Sequence, residues 1–294
     1  MQRILAKCPI IVVLWLFIFS ISPQRVYAAP LTETEQAKVY WESGQQAKAL
    51  KLLRAVYYRD RTYGAGIGYA YYLSQANQDQ EAIKILTSLI KKHPQKYDAD
   101  LELIRVYDKI KNDAMIFQTL DQAITRGGNQ EIQVVKVYAS MYLRFMQPEK
   151  ALDMLKQFKV TDKNEVDYLG IWAVTNFELK EYTQAKIAYE RLVILRPDIP
   201  NFSWGLAYIH RKLGNYEEAE MIYNTLKETF PEEIYTWEEM AMLYCDLQQY
   251  DKAMAEMDIA RSQYLKKQDI ESFQNTNIMM ERILIEQSYF EIAQ

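Results

Sequence analysis

One spacing constrains this chain more than any other feature. Small side chains recur as Ala49, Ala82, Ala151, Ala185, Ala219 and Ala253, with Ile116 filling the one gap, at intervals of 33, 34, 35, 34, 34 and 34 residues. A period of that length means one supersecondary unit repeated in tandem, each copy burying its apolar face only against its neighbours. Alanine, the smallest good helix former, belongs where two helices cross closely. Glycine and proline, 9 and 8 of 294 residues, are too few for an all-β chain built on tight turns.

Further marks fall in phase. In the consecutive blocks 166–199, 200–233 and 234–267, the seventeenth residues are Tyr182, Tyr216 and Tyr250 and the eleventh are Asn176, His210 and Tyr244. Pro197 and Pro231 take the thirty-second position, as Pro94 does earlier, and Gly44 and Gly214 take the fifteenth. Within a block, LAYIHRKL and YEEAEMIYNTLKETF read as two amphipathic helices around Gly214-Asn215, and the proline ends the second. Pro148 falls at the first turn of a second helix, where it is tolerated.

This pattern resembles the tetratricopeptide repeat family, in an exported bacterial form. The family pattern has small residues at positions 8, 20 and 27 and proline at 32. Ala70, Ala139, Ala173, Ala207 and Ala241 supply position 8, and Ala123 and Ala260 supply position 27. The resemblance covers roughly residues 30–267 in about seven repeats (30–62, 63–96, 97–131, 132–165, 166–199, 200–233, 234–267). It implies an all-α, right-handed superhelical solenoid of helix-turn-helix units with a concave groove, followed by a C-terminal helix over 268–294. That last segment lacks the alanine marks. It reads as a cap on the solenoid or, because IMMERILIEQSYF is apolar around more than one face, as a docking helix or homodimer contact.

The first 28 residues read as an address. Arg3 and Lys7 precede the run IIVVLWLFIFSI, Ser22-Pro23 breaks it, and Val26-Tyr27-Ala28 suits a signal peptidase. Twelve residues are short for a membrane span of roughly 20. The expectation is an exported, periplasmic or secreted domain, touching membrane only through the leader if that is retained. Loss of residues 1–28 leaves 32 basic against 39 acidic residues, net −7, with no basic block for nucleic acid. It also leaves one cysteine, Cys245, so no internal disulfide.

Nothing in the sequence assembles a catalytic, cofactor or metal site. His93 and His210 have no Cys, Ser or second His at a useful spacing. Gly64, Gly66 and Gly68 follow no strand and precede no Lys-Ser/Thr, so they read as positions of close helix packing. The resemblance instead points to the groove, lined in this family by positions 2, 5, 9 and 12 of each first helix. Those positions hold Trp41, Tyr71, Arg105, Asp108, Lys136, Phe177, Trp204, Tyr208, Arg211 and Tyr235, with Arg144 and Lys212 beside them. Exposed rings among cations suit an extended peptide from an envelope protein partner, for which the chain would be a non-enzymatic scaffold. The alternative is a polysaccharide stacked on Trp41, Phe177, Trp204 and Tyr208, as in exopolysaccharide secretion. Position 9 reads Lys38, Tyr71, Arg105, Ser140, Val174, Tyr208 and Met242. It lacks the asparagine of the family's carboxylate clamp, so that mode is not expected.

Overall fold

The computed structural model describes residues 31–293, all helix and turn. The expected leader lies outside the described residues. Fifteen α-helices follow one another: α1 Leu31–Glu42, α2 Gln46–Asp60, α3 Tyr63–Gln75, α4 Asp79–Lys92, α5 Asp98–Lys109, α6 Asp113–Thr125, α7 Ile132–Arg144, α8 Pro148–Gln157, α9 Glu165–Glu178, α10 Tyr182–Leu195, α11 Pro200–Lys212, α12 Tyr216–Thr229, α13 Tyr235–Asp246, α14 Tyr250–Lys267 and α15 Ile270–Ala293. No described helix is long and apolar enough to cross a membrane.

The turn inside each helix pair is set by backbone geometry. Gly44, Asn77, Lys111, Met146, Lys180, Gly214 and Gln248 all have φ between 57° and 78°. They share the fifteenth position of their blocks, so the turn repeats even where glycine does not. In every case the next residue's N–H reaches back to the carbonyl of the eleventh position, as from Asn215 to His210 at 2.9 Å and from Gln249 to Tyr244 at 2.8 Å. That bond satisfies one of the carbonyls a helix end leaves open, and the left-handed residue lets the chain reverse. Five of the seven positions carry side chains in a region that favours glycine. Tyr182, Tyr216 and Tyr250 then open the second helices.

The periodic alanines are the crossing points. Ala49, Ala82, Ala151, Ala185, Ala219 and Ala253 are fully enclosed, as are Ile116 and the position-8 alanines. Two glycines allow still closer approach: a β-carbon on Gly66 would stand 2.8 Å from Leu89, and one on Gly205 would stand 2.3 Å from the Tyr189 ring. Close packing is thus the role of Gly66 within the glycine run.

The chain divides into two compact units, one ending at Thr161 and one beginning at Asp162. The division follows a weak fourth repeat. Its second helix, α8, stops after 10 residues, before Phe158, whose ψ of 134° is extended, and Lys163 stands where three other blocks have proline. In the first unit, Leu53, Ile67, Leu73, Leu86, Leu103, Leu120 and Met141 form one continuous core through successive pairs. In the second, Trp204, Tyr223, Met240, Leu243 and Met257 do so, joined by Met280 and Ile283 of α15. The C-terminal helix packs one face on α14 in this way.

Candidate functional site

The candidate surface is the row of first helices within each unit. Besides packing on its own partner helix, α3 touches α5 and α11 touches α13. First helices therefore stand side by side, with positions 2, 5, 9 and 12 along the shared wall.

In the first unit the wall combines rings with tethered charge. Trp41 and Tyr71 are half-buried, and both sit edge-on to Tyr72, at 5.0 and 5.2 Å between ring centres. Tyr72 is a neighbour the sequence reading missed, since it falls outside the expected positions. Arg105 pairs at 2.5 Å with Glu102, one turn earlier on α5. Glu102 is buried, and burial pushes its carboxyl above the ordinary range against the pull of Arg105. Arg144 reaches Asp108 in the same wall and lies 3.4 Å from Asp113 at the turn of the preceding repeat. Lys109 makes the corresponding link one repeat earlier, bonding Asp79 at 2.9 Å and the Ser74 carbonyl. Lys136 is half-buried on α7.

The second unit is more aromatic and drier. Phe177 meets Tyr208 of the next repeat at 5.5 Å, edge to face. Arg211 and Lys212 each stand 5.1 Å from the centre of the Tyr208 ring, within cation–π range. The ring is half-buried and carries both cations on its own helix, one turn away. At the end of α9, next to Phe177 in sequence, Glu178 keeps one carboxylate oxygen shielded without a hydrogen bond, and burial raises its pKa.

Two expected wall residues are corrected by their burial. Trp204 is only 6% exposed: it packs edge-on to Tyr235 at 5.3 Å and donates its indole N–H to Thr236 Oγ1 at 2.8 Å. Arg211 is 9% exposed, held between Glu239 at 3.0 Å and Asp246 at 2.7 Å. An arginine enters a core only when its charge is matched there. Glu239 supplies that match and gathers more: Tyr235 donates to it at 2.6 Å and Tyr223 at 3.4 Å. Burial beside this carboxylate pushes the Tyr223 hydroxyl far above its usual pKa. Trp204, Arg211 and Glu239 thus join repeats inside the unit instead of lining an open wall. Position 6 reads Glu35, Gly68, Glu102, Val137, Ile171, Gly205 and Glu239, so an acid at this phase does not by itself single out Glu239.

His210 and Cys245 are both packed. Burial depresses the His210 pKa, and it raises that of Cys245 to about 11, which keeps the Cys245 thiol protonated near neutrality. Among the described residues no three His, Cys, Asp or Glu side chains are gathered to hold a metal.

Comparison with known proteins agrees with the architecture. Residues 66–96 and 175–234 each match a tetratricopeptide repeat family model. A tetratricopeptide repeat protein from Parabacteroides merdae superposes with a TM-score of 0.58 at 12% identity, covering 83% of this chain and 97% of its own. PilF of Pseudomonas aeruginosa gives 0.55 at 16% identity, with 75% and 99% covered. The Cut9 and Hcn1 hetero-tetramer of the APC/C gives 0.58 at 12%, with 93% of this chain and 52% of the other covered. No curated protein matches the sequence. The chain thus carries tetratricopeptide repeats over residues 66–96 and 175–234 and shares the fold of tetratricopeptide repeat proteins. Its fold is one commonly used as a protein–protein interaction scaffold and is generally non-catalytic.

Proposed function

We propose that this protein is an exported envelope scaffold that binds an extended segment of a protein partner along its first helices and so assembles or localises an envelope complex. The observation that carries the reading is the row of half-buried rings with charged neighbours: Trp41 and Tyr71 in one unit, Phe177 and Tyr208 with Lys212 in the other. Rings held by neighbours lose little conformational freedom when a peptide packs on them, which favours them as anchors. Unmatched polar capacity at Glu178 offers a place for a donor from the partner. The leader-like start of the sequence supports the envelope location.

The polysaccharide reading draws on the same rings and loses one of them, because Trp204 is enclosed and its N–H is already bonded. Crosslinking the exported protein in cells and identifying the adducts tests the scaffold reading. Recovery of a specific envelope protein is expected. Recovery of polymer alone would replace the reading with the polysaccharide one.

A further inference from the structure

The last first helix, α13, is covered by α15, and one carboxyl lies in the joint. Glu238 and Cys245 hold positions 5 and 12 of α13, two of the phases that line the wall. Cys245 is buried in one cluster with Met280 and Ile283, and Glu286 of the same C-terminal helix acts on its thiol. Glu238 is half-buried, and its Oε1 stands 3.2 Å from Oγ1 of Thr276, a residue of α15 with no exposed surface. The Tyr264 hydroxyl of α14 bonds the same carboxyl.

The joint suits a neutral acid. A threonine hydroxyl has one proton to give. Thr276 gives it to the Ser272 carbonyl at 2.8 Å, the shorter of its two contacts. Its oxygen then faces Glu238 as an acceptor, to which only a protonated carboxyl can donate. Once that proton is lost, two oxygens with lone pairs meet in an enclosed place. The charges nearby oppose an anion as well: Glu239 on the same helix and Asp269 in the turn before α15, with Glu233 beside Tyr264. Cations of the surrounding elements are engaged elsewhere, Arg211 with Glu239 and Asp246, Lys227 with Glu256 and Lys267 with the Glu232 carbonyl. We infer that α15 is a releasable cover over the last first helix, seated while Glu238 keeps its proton and loosened as that proton is lost. Burial pushes the seated carboxyl up to about 7 from its ordinary 4.5. Seating is therefore strongest below about pH 4.5 and weakens until about pH 7, with no further change above. Release uncovers Glu238 and Cys245, whatever the wall binds.

Hydrogen exchange read by mass spectrometry on the full chain, at about pH 5 and about pH 8, tests it, each rate taken relative to that of unstructured peptide. Between the two, α15 should lose about tenfold or more in protection. Glu238→Gln is neutral at both and its amide can donate to Thr276, so its α15 should keep its protection within about twofold. At the higher pH, alkylation of Cys245 by N-ethylmaleimide, located by peptide mass, should be about tenfold slower in this variant than in the wild type. Protection of α11 and α12 should stay within about twofold in both chains, which separates release of α15 from unfolding of the unit. A wild-type α15 equally protected at both pH values, an equal loss in the Gln variant, or a loss shared equally by α11 and α12 would each overturn the inference.

Discussion

The two units solve one problem differently. In the first, neighbouring repeats are tied at their turns by ions: Lys109 to Asp79, and Arg144 to Asp113 and Asp108. In the second, where position 17 is Tyr182, Tyr216 and Tyr250 against Gln46, Asp79, Asp113 and Pro148 in the first, Phe177 packs on Tyr208 of the next repeat, Arg211 is enclosed between Glu239 and Asp246, and Lys227 pairs with Glu256 of the next repeat at 2.8 Å. The backbone turn is the same in both, with the same left-handed residue and the same bond to the eleventh carbonyl. Repeat geometry is therefore fixed by the backbone and by alanine packing, and the chemistry of the seam is free to vary. A contact to an exposed partner, such as Arg144 to Asp113, is screened by salt and contributes little, whereas the enclosed Arg211–Glu239 pair is costly to break from one side.

The sharpest way to break this contrast is Arg211→Ala. It strands Glu239 in the core and should cost the second unit about 3–5 kcal/mol, read as an early transition in thermal or urea unfolding. A loss below about 1 kcal/mol would place the seam of the second unit in the same class as the first.

A second test uses pH. Burial, with Glu239 and Asp269 nearby, pushes the Glu238 carboxyl up to about 7, although Thr276 and Tyr264 bond it. The folded state then holds its proton more tightly than the unfolded state, so this group lowers stability as pH rises from about 4.5 to about 7 and adds no further slope above. Glu238→Gln should remove that slope, raising stability at pH 8 by on the order of 1–3 kcal/mol while leaving pH 4 nearly unchanged. An unaltered profile would mean that Glu238 is solvated where it meets α15.

A smaller effect is expected at the shared turn. Met146 is 60% exposed with φ of 58°, so Met146→Gly relieves backbone strain and gives up little burial. The added freedom of the unfolded chain offsets part of the gain, leaving about 0.5–1 kcal/mol of stabilisation by chemical denaturation. The smallest change belongs to Arg144→Ala, at about 1 kcal/mol or less, shrinking further in high salt as the Arg211→Ala loss should not.

Much of this fold was legible in the sequence because the repeat is carried by residues with one local job. Alanine at a crossing, tyrosine opening a helix and glycine at a turn can be read without knowing what lies opposite. Lys111, Met146 and Lys180 at the same turn could not, since nothing in those side chains announces a left-handed backbone. The wall was legible as a set of positions but not residue by residue. Trp204 and Arg211 turn inward because Thr236 and Glu239, 32 and 28 residues away, satisfy them. Glu239 itself was overlooked because a helical glutamate is usually solvated, as Glu35 at the same repeat position is.

In the proposed function, the first helices form the recognition face. Photo-crosslinking amino acids at Tyr71 and Tyr208, on first helices, and at Tyr58 and Ile194, exposed on second helices, test it within one protein. Adducts to one partner from Tyr71 and Tyr208, with none from Tyr58 and Ile194, are predicted. Equal labelling from both faces, or labelling confined to the second helices, would contradict it.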